Sequence, residues 1–437
     1  MKFYNREREL AELQKILKQT ISSARMTVIT GRRRVGKTSL ALEFAQPHKH
    51  LYLFVSKKSE HLLCIEYLEE IRKMFKTPVV GEIKSFRDIF LLLLELSKEE
   101  RFTLILDEFQ EFININPSVF SEIQHFWDVN KAKCKLNLIC IGSVYSLMHR
   151  IFEEKKEPLF GRADRILFLK PFPIKTIHEV LKDHDITSMK ALFDCYVLTG
   201  GIPKYLELLT TNSALTFERI MDFMLQADSP FIAEGRNLLI EEFGRDYGIY
   251  FSILELISTG KTARTEIESL LESDIGGYLD KLENSFGLIS KHKPFNAKPN
   301  SRIQKYKIND NFLSFWFRFI YRNRSAVETN NFQYIREVIQ RDYAAYSGVP
   351  LEKCFHELFA ETGQYNRIGS YWERGNENEI DLVAVNDLKK TITIGDIKLN
   401  KSKLNINGLK QKAAHLLALY PKYKPTWLGL SIENIAD

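Results

Sequence analysis

Cysteine is scarce and patternless in this chain: Cys64, Cys134, Cys140, Cys195 and Cys354 are the only five in 437 residues. They are odd in number, isolated, and lack metal-ligand spacing, which excludes a disulfide framework and fits a reducing compartment. No apolar run approaches the roughly 20 residues that a bilayer-crossing helix needs, so no membrane partner is expected. The first residues, Met1 to Glu7, carry no apolar core of a signal peptide, and a cytoplasmic location is expected. Internal repeats and low-complexity linkers are missing too, so the domains should abut. Charge of one sign is barely in excess: Lys and Arg number 62 against 56 Asp and Glu, a net charge of +6. That balance permits a nucleic-acid partner without requiring one. What is present is 44% hydrophobic residues, ample for the cores of roughly two to four domains at this length.

One octet carries the most information. Gly31-Arg-Arg-Arg-Val-Gly-Lys-Thr38 fits the Walker A pattern, with an apolar strand pattern from Met26 to Thr30 before it and a helical pattern from Ser39 to Ala45 after it. In that context the loop turns its backbone N–H groups inward and the helix start adds partial positive charge, a cradle for phosphates. The cradle comprises Gly31, Arg34, Val35, Gly36, Lys37, Thr38 and Ser39. Lys37 is expected to reach the β- and γ-phosphates of ATP, and Thr38 to ligate Mg²⁺. The side chains of Arg32, Arg33 and Arg34 fall at unconstrained positions and are expected in solvent.

Downstream, the apolar run from Phe102 to Leu106 ends in Asp107 and Glu108, which reads as Walker B. Asp107 would hold Mg²⁺ through water, and Glu108 would polarise the attacking water. The apolar run from Leu136 ends in Ser143, a hydroxyl placed either to sense the γ-phosphate or simply to make a turn.

Strands are expected near 26–30, 50–56, 102–107, 136–142 and 165–170, alternating with helices in an α/β, parallel-sheet P-loop domain over residues 1–173. Asn5 is the expected N-cap of a helix ahead of the first strand. Residues 174–235 read as a helical lid, broken by the turn at Gly200-Gly201-Ile202-Pro203. Residues 236–325 read as a winged helix-turn-helix with helices at 250–257, 263–271 and 277–284. Its wing would carry Lys291, Lys293, Lys298, Arg302, Lys305 and Lys307, basic enough to grip DNA phosphates. The third helix carries Asp280 and Glu283, which disfavours sequence-specific readout, so protein contacts are an equal reading. The aromatic-dense stretch from Asp310 to Tyr321 reads as packing.

Residues 326–437 hold a second candidate site. Three strands are expected at 369–373, 379–385 and 391–398, the last two an antiparallel hairpin about the turn at 386–390. Symmetry about that turn sets Val385 against Ile392, Val383 against Ile394, and Asp381 against Asp396. Opposed carboxylates repel, so something positive should lie between them. A divalent cation, Mg²⁺ or Mn²⁺, is the economical choice, with Lys398 beside it to steady charge on a phosphate. In the plainer alternative Lys398 pairs with Glu379. Glu352 on a preceding helix offers a third acid, and Gln411 an accessory group.

Over nearly its whole length the chain resembles the prokaryotic AAA+/STAND-type ATPases that end in a PD-(D/E)XK nuclease-like domain. The resemblance rests on Phe3 to Glu7, Gly31 to Thr38, Leu106 to Glu108, Ile141 to Ser143, Pro158 to Arg162, Gly200 to Pro203, Phe312 to Phe317, Glu379 to Asp381 and Asp396 to Lys398. It implies a RecA-like ATPase domain and a restriction-endonuclease-like C-terminal fold. It implies that Asn5, Arg6, Gly201 and Pro203 line the adenine pocket, and that Arg162 acts on the γ-phosphate, including that of a neighbouring subunit in a homo-oligomer formed on nucleotide binding. It makes Asp381, Asp396 and Lys398 the metal-binding and catalytic core, with Glu352. No Pro precedes Asp381, and the motif reads Asp-Ile-Lys. The expectation is an ATPase coupling nucleotide state to DNA binding and metal-dependent cleavage. The competing one is a regulatory nucleotide switch whose C-terminal modules only bind DNA or protein.

Overall fold

The computed structural model describes residues 2–76, 83–298, 300–301 and 303–436. Arg302, one of the expected wing cations, lies outside the described residues. The chain forms two compact units, residues 3–171 and a second comprising residues 1–2 with 172–437.

In the first unit five strands, β1 (Arg25–Thr30), β2 (His50–Phe54), β3 (Phe102–Asp107), β4 (Leu136–Ile141) and β5 (Arg165–Phe168), make one sheet in the order β2-β3-β4-β1-β5. Every pairing is parallel. The central β3 and β4 are buried at every position. That burial on both faces is why they read as unbroken apolar runs rather than alternating ones. A core of Leu104, Leu106, Leu138, Cys140 and the surrounding helices closes around them. β4 lies between β1 and β3, so the chain ends after β1, β4 and β3 emerge side by side at one edge of the sheet. In open α/β sheets that carboxyl-end edge is where ligands bind.

The first helix spans Glu7–Gln19, and its N-cap is Arg6 at φ 103°, not Asn5. Asn5 instead accepts a hydrogen bond from the Arg6 amide at 2.8 Å. The displacement has a cause in the side chain: the Arg6 guanidinium donates to the carbonyl oxygens of Lys170, at 2.7 Å, and Val35, at 3.3 Å, and these bonds fix the chain's entry.

The second unit begins with helices Ile174–Lys182, Met189–Thr199, Pro203–Thr211, Phe217–Met224 and Pro230–Phe243. Gly200 (φ 60°) and Gly201 (φ 72°) end the second of these, and Pro203 starts the next at its first turn, where a missing N–H costs nothing. A Cβ on Gly201 would stand 2.1 Å from the Phe172 carbonyl oxygen, so only glycine allows that approach. Three further helices, Tyr247–Ser258, Arg264–Leu271 and Gly276–Asp280 continuing through Lys281–Ser285, precede an antiparallel pair, β6 (Ile289–His292) and β7 (Lys305–Ile308). The aromatic stretch that follows is core: Phe312, Phe315, Phe317 and Phe319 are at most 1% exposed, and the Trp316 indole donates to Ile232 O at 2.9 Å.

The C-terminal sheet runs β11-β10-β9-β8, from β8 (Arg367–Tyr371), β9 (Ile380–Asn386), β10 (Thr391–Ile397) and β11 (Lys424–Leu430). β8–β9 and β9–β10 are antiparallel, β10–β11 parallel. The hairpin register is the symmetric one, with Val385 opposite Ile392 and Val383 opposite Ile394. Among the described residues, no helix is long and apolar enough to cross a membrane.

Candidate functional site

At the carboxyl end of β1 the chain makes a turn that requires glycine. Gly31 has φ 137°, and a Cβ there would stand 2.4 Å from the Leu169 carbonyl oxygen. Gly36, at φ 88°, caps helix Lys37–Ala45. Arg34 also takes a left-handed φ of 67°, a strain of order 1–3 kcal/mol for a residue with a side chain. Strain of this kind gathers where backbone must be aimed rather than merely connected. Lys37 is only 6% exposed, and its ammonium donates to the carbonyl oxygens of Gly31 and Arg32, both at 2.9 Å. Val35 is buried beneath the loop, whereas the Arg34 and Ser39 side chains are exposed.

Across the loop, Asp107 at the end of β3 is buried and fully engaged. Its Oδ2 accepts from Thr38 Oγ1 at 2.6 Å and from the Tyr52 hydroxyl at 2.9 Å, and its Oδ1 accepts from the Glu108 amide at 2.9 Å. Burial, with Asp107 next, pushes the Tyr52 phenol up, so this hydroxyl remains a donor through the neutral range. Glu108, at φ 55°, accepts through Oε2 from Ser143 Oγ at 2.8 Å and also from the Gln110 amide. Ser143 in turn accepts from Arg33 Nε at 3.3 Å. Arg33 is therefore half-buried against the Ser143 hydroxyl rather than in solvent, because β4 emerges directly beside the loop.

The loop, Lys37, Thr38, Asp107, Glu108 and Ser143 thus come together, and Arg6 joins them through Val35 O. Burial lowers the pKa of the Arg6 guanidinium. A hydroxyl and a carboxylate 2.6 Å apart are the hard oxygen donors that Mg²⁺ takes, so the residues present fit that ion. Arg162 is placed elsewhere in this unit: it donates to Phe160 O at 2.9 Å and pairs with Asp128 at 3.0 Å. Gly201 and Pro203 belong to the second unit and are described above by their own turn. Tyr52, Gln110 and Arg33 were not legible as site residues. Tyr52 becomes so only once β2 is known to lie beside β3, with Phe54 opposite Asp107. The residue two earlier then shares Phe54's face.

The C-terminal carboxylates come together differently from the expectation. Lys398 Nζ lies between them, 2.8 Å from Asp381 Oδ2 and 2.9 Å from Asp396 Oδ1. Burial pulls this ammonium's pKa down, but the hydrogen bonds to Asp381 and Asp396 outweigh it and hold it above the ordinary lysine value. Asp381 Oδ2 also accepts from the Ile397 amide at 2.8 Å, and Asp396 Oδ2 from the Asn405 amide at 2.9 Å. Glu379 pairs instead with Lys305 of β7 at 3.0 Å, whose ammonium also stands 4.7 Å from the Trp372 ring. Glu352 lies 3.5 Å from Lys307. Burial pushes the Glu352 carboxyl up to about 7; Lys307 opposes the rise, and Asp381 and Glu379 add to it. Among the described residues, no three His, Cys, Asp or Glu side chains converge as a metal cage. As arranged, the centre does not fit a divalent cation, since an ammonium holds that position.

The β6–β7 hairpin is fastened to this sheet. The Phe295 amide donates to Ser370 O at 2.8 Å, and Asn296 Oδ1 accepts from Arg367 at 3.0 Å and from Tyr420 at 2.6 Å. With Lys291 paired to Glu283 at 3.0 Å, three of the expected wing cations are held by carboxylates of the same unit.

Residues 3–209 match a protein family described as an ATPase domain predominantly from Archaea, and residues 316–413 one of archaeal and bacterial proteins of unknown function. An uncharacterized protein of Methanocaldococcus jannaschii is 31% identical over 407 residues, covering 91% of this chain and 87% of its own. Among solved structures, the Walker-type ATPase of Pyrococcus abyssi superposes with a TM-score of 0.55 at 20% identity, over 72% of this chain and 96% of that one.

Proposed function

The chain belongs to the family of the Methanocaldococcus jannaschii protein, and from its own archaeal-type ATPase domain, followed by a segment of unknown function, we propose that it couples ATP hydrolysis to DNA binding by residues 236–437. The observation that carries the ATPase half is the convergence of Lys37, Thr38, Asp107, Glu108 and Ser143 at one edge of the sheet. Mg²⁺, held by Thr38 and through water by Asp107, would supply charge neutralisation at the β- and γ-phosphates. The loop N–H groups and Lys37 bind and orient the triphosphate. Glu108 takes a proton from the attacking water, and Ser143 senses the γ-phosphate.

In the second unit, three helices followed by a β-hairpin support a winged-helix reading. The family resemblance implies a cleavage centre at Asp381, Asp396, Lys398 and Glu352, which would require a metal ion to displace the Lys398 ammonium from between the aspartates. A second reading is favoured by one observation: Lys398 already neutralises both aspartates. On that reading the C-terminal modules bind partners without cutting, and the protein is a regulatory nucleotide switch.

One measurement tests the nucleotide site that both readings share, and a second separates them. Lys37→Ala should abolish ATP binding, and Glu108→Gln should bind ATP but hydrolyse it slowly; hydrolysis at the wild-type rate in Glu108→Gln removes Glu108 from its role. Calorimetric melting with EDTA and with Mn²⁺ tests the C-terminal centre. Stabilisation by Mn²⁺ in wild type, absent in Asp396→Asn, supports cleavage; no metal effect at millimolar concentration leaves only the binding-switch reading.

A further inference from the structure

We propose that Arg33, from within the Walker A loop, is an in-chain arginine finger: it supplies the positive charge that stabilises the γ-phosphoryl group during hydrolysis. This deepens the ATPase reading and rests on it. The guanidinium is already where that charge is needed. Arg33 Nε donates to Ser143 Oγ at 3.3 Å, and Ser143 donates to Glu108 at 2.8 Å. Those two partners are the sensor of the γ-phosphate and the group that activates water, so a donor touching the sensor borders the transferring phosphoryl. The loop's geometry fixes this placement. The strained φ of 67° at the next residue, Arg34, and the buried Val35 beyond it anchor the loop just past Arg33. β4, inserted between β1 and β3, brings Ser143 to its side.

The chemistry asks for such a group. The water oxygen bonds to the γ-phosphorus, the bond to the β,γ-bridging oxygen breaks, ADP leaves with that electron pair, and Glu108 takes the proton. Charge spreads over the equatorial oxygens and the leaving oxygen, beyond what one lysine covers. A guanidinium has five N–H donors in a rigid fork, enough to hold Ser143 and a phosphate oxygen at once. Arg162 sits against Asp128 and Phe160 O, whereas Arg33 borders Ser143 itself, so of these two arginines the loop one is better placed.

The test compares wild type, Arg33→Ala and Arg33→Lys with Mg²⁺ in three measurements: affinity for a fluorescent ATP analogue, single-turnover hydrolysis of ATP, and trapping of ADP with aluminium fluoride. Arg33→Ala should bind the analogue within about threefold of wild type, hydrolyse roughly 100- to 1000-fold more slowly, and fail to trap the fluoride complex. Arg33→Lys, which keeps the charge but loses the fork, should fall between. Wild-type hydrolysis per chain should not change with protein concentration. A rate in Arg33→Ala within about threefold of wild type overturns the proposal, as does a loss of affinity equal to the loss of rate. A wild-type rate that climbs with protein concentration also overturns it, assigning the charge to a neighbouring chain. Wild-type protein that binds the analogue but never hydrolyses ATP would instead refute the ATPase reading beneath it.

Discussion

Asp107 divides its two oxygens among three donors, and Tyr52 is the one that no motif contains. Thr38 and Tyr52 both donate to Oδ2, while the Glu108 amide holds Oδ1. With Mg²⁺ bound as proposed, Thr38 would face the metal as well as Asp107, and the carboxylate's rotamer would then depend on Tyr52. Tyr52→Phe should leave ATP-analogue affinity in EDTA unchanged and raise the Mg²⁺ concentration needed for half-maximal tightening by about 10-fold, the worth of one hydrogen bond to a charged group. Equal Mg²⁺ dependence in the two proteins would limit Tyr52 to packing. At this scale the consecutive motif was readable, because the loop, Lys37 and Thr38 act through spacing along one stretch of chain. Tyr52, Gln110 and Arg33 act through strand order, which spacing does not encode. Local sequence points Arg33 to solvent for that reason: nothing in it shows that Ser143, more than a hundred positions away, will arrive beside it.

Among elements, the β9–β10 hairpin was the most legible in detail. Pairing placed symmetrically about its polar turn sets Val385 against Ile392 and Val383 against Ile394, and that register is the one observed. Lys398 stands beside Asp396, as residues two apart on a strand should; what the pattern does not show is that its ammonium lies between the two aspartates, in the place expected for a metal ion. The turn is itself anchored: Asp387 accepts from Asn366 at 2.7 Å, Arg367 at 3.0 Å and Tyr423 at 2.8 Å. The Asn366, Tyr423 and Arg367 bonds lower the Asp387 pKa from 3.8 to about 2. A depressed carboxylate stabilises the fold above its unfolded value, and that contribution is lost as pH falls through the folded one. Asp387→Asn should therefore melt lower than wild type at neutral pH, with the gap closing between pH 3.8 and about 2. A gap constant down to pH 2 would show that the turn's bonds do not depend on charge.

For the whole molecule, the alternation of strand and helix patterns announced the parallel sheet, since buried β3 and β4 must read as apolar runs. What no pattern announced is that the β6–β7 hairpin lies against the C-terminal sheet, because those contacts join residues some 70 positions apart, as Lys305 and Glu379 are. Glu352 and Glu379 stand to Lys307 and Lys305 as phosphates would stand to a DNA-binding wing. The chain thus carries its own competitor for these lysines, tethered at high effective concentration. DNA would have to displace it, and each carboxylate so uncovered would take up a cation while each neutralised phosphate releases one. The usual salt dependence of DNA binding is then partly cancelled: Glu352→Gln with Glu379→Gln should tighten binding at low salt and steepen the log–log slope, by roughly one unit at most for Glu379 and by less at neutral pH for Glu352, whose carboxyl is pushed up to about 7. An unchanged slope in a protein that does bind DNA would mean that DNA is held elsewhere, with these ion pairs left intact.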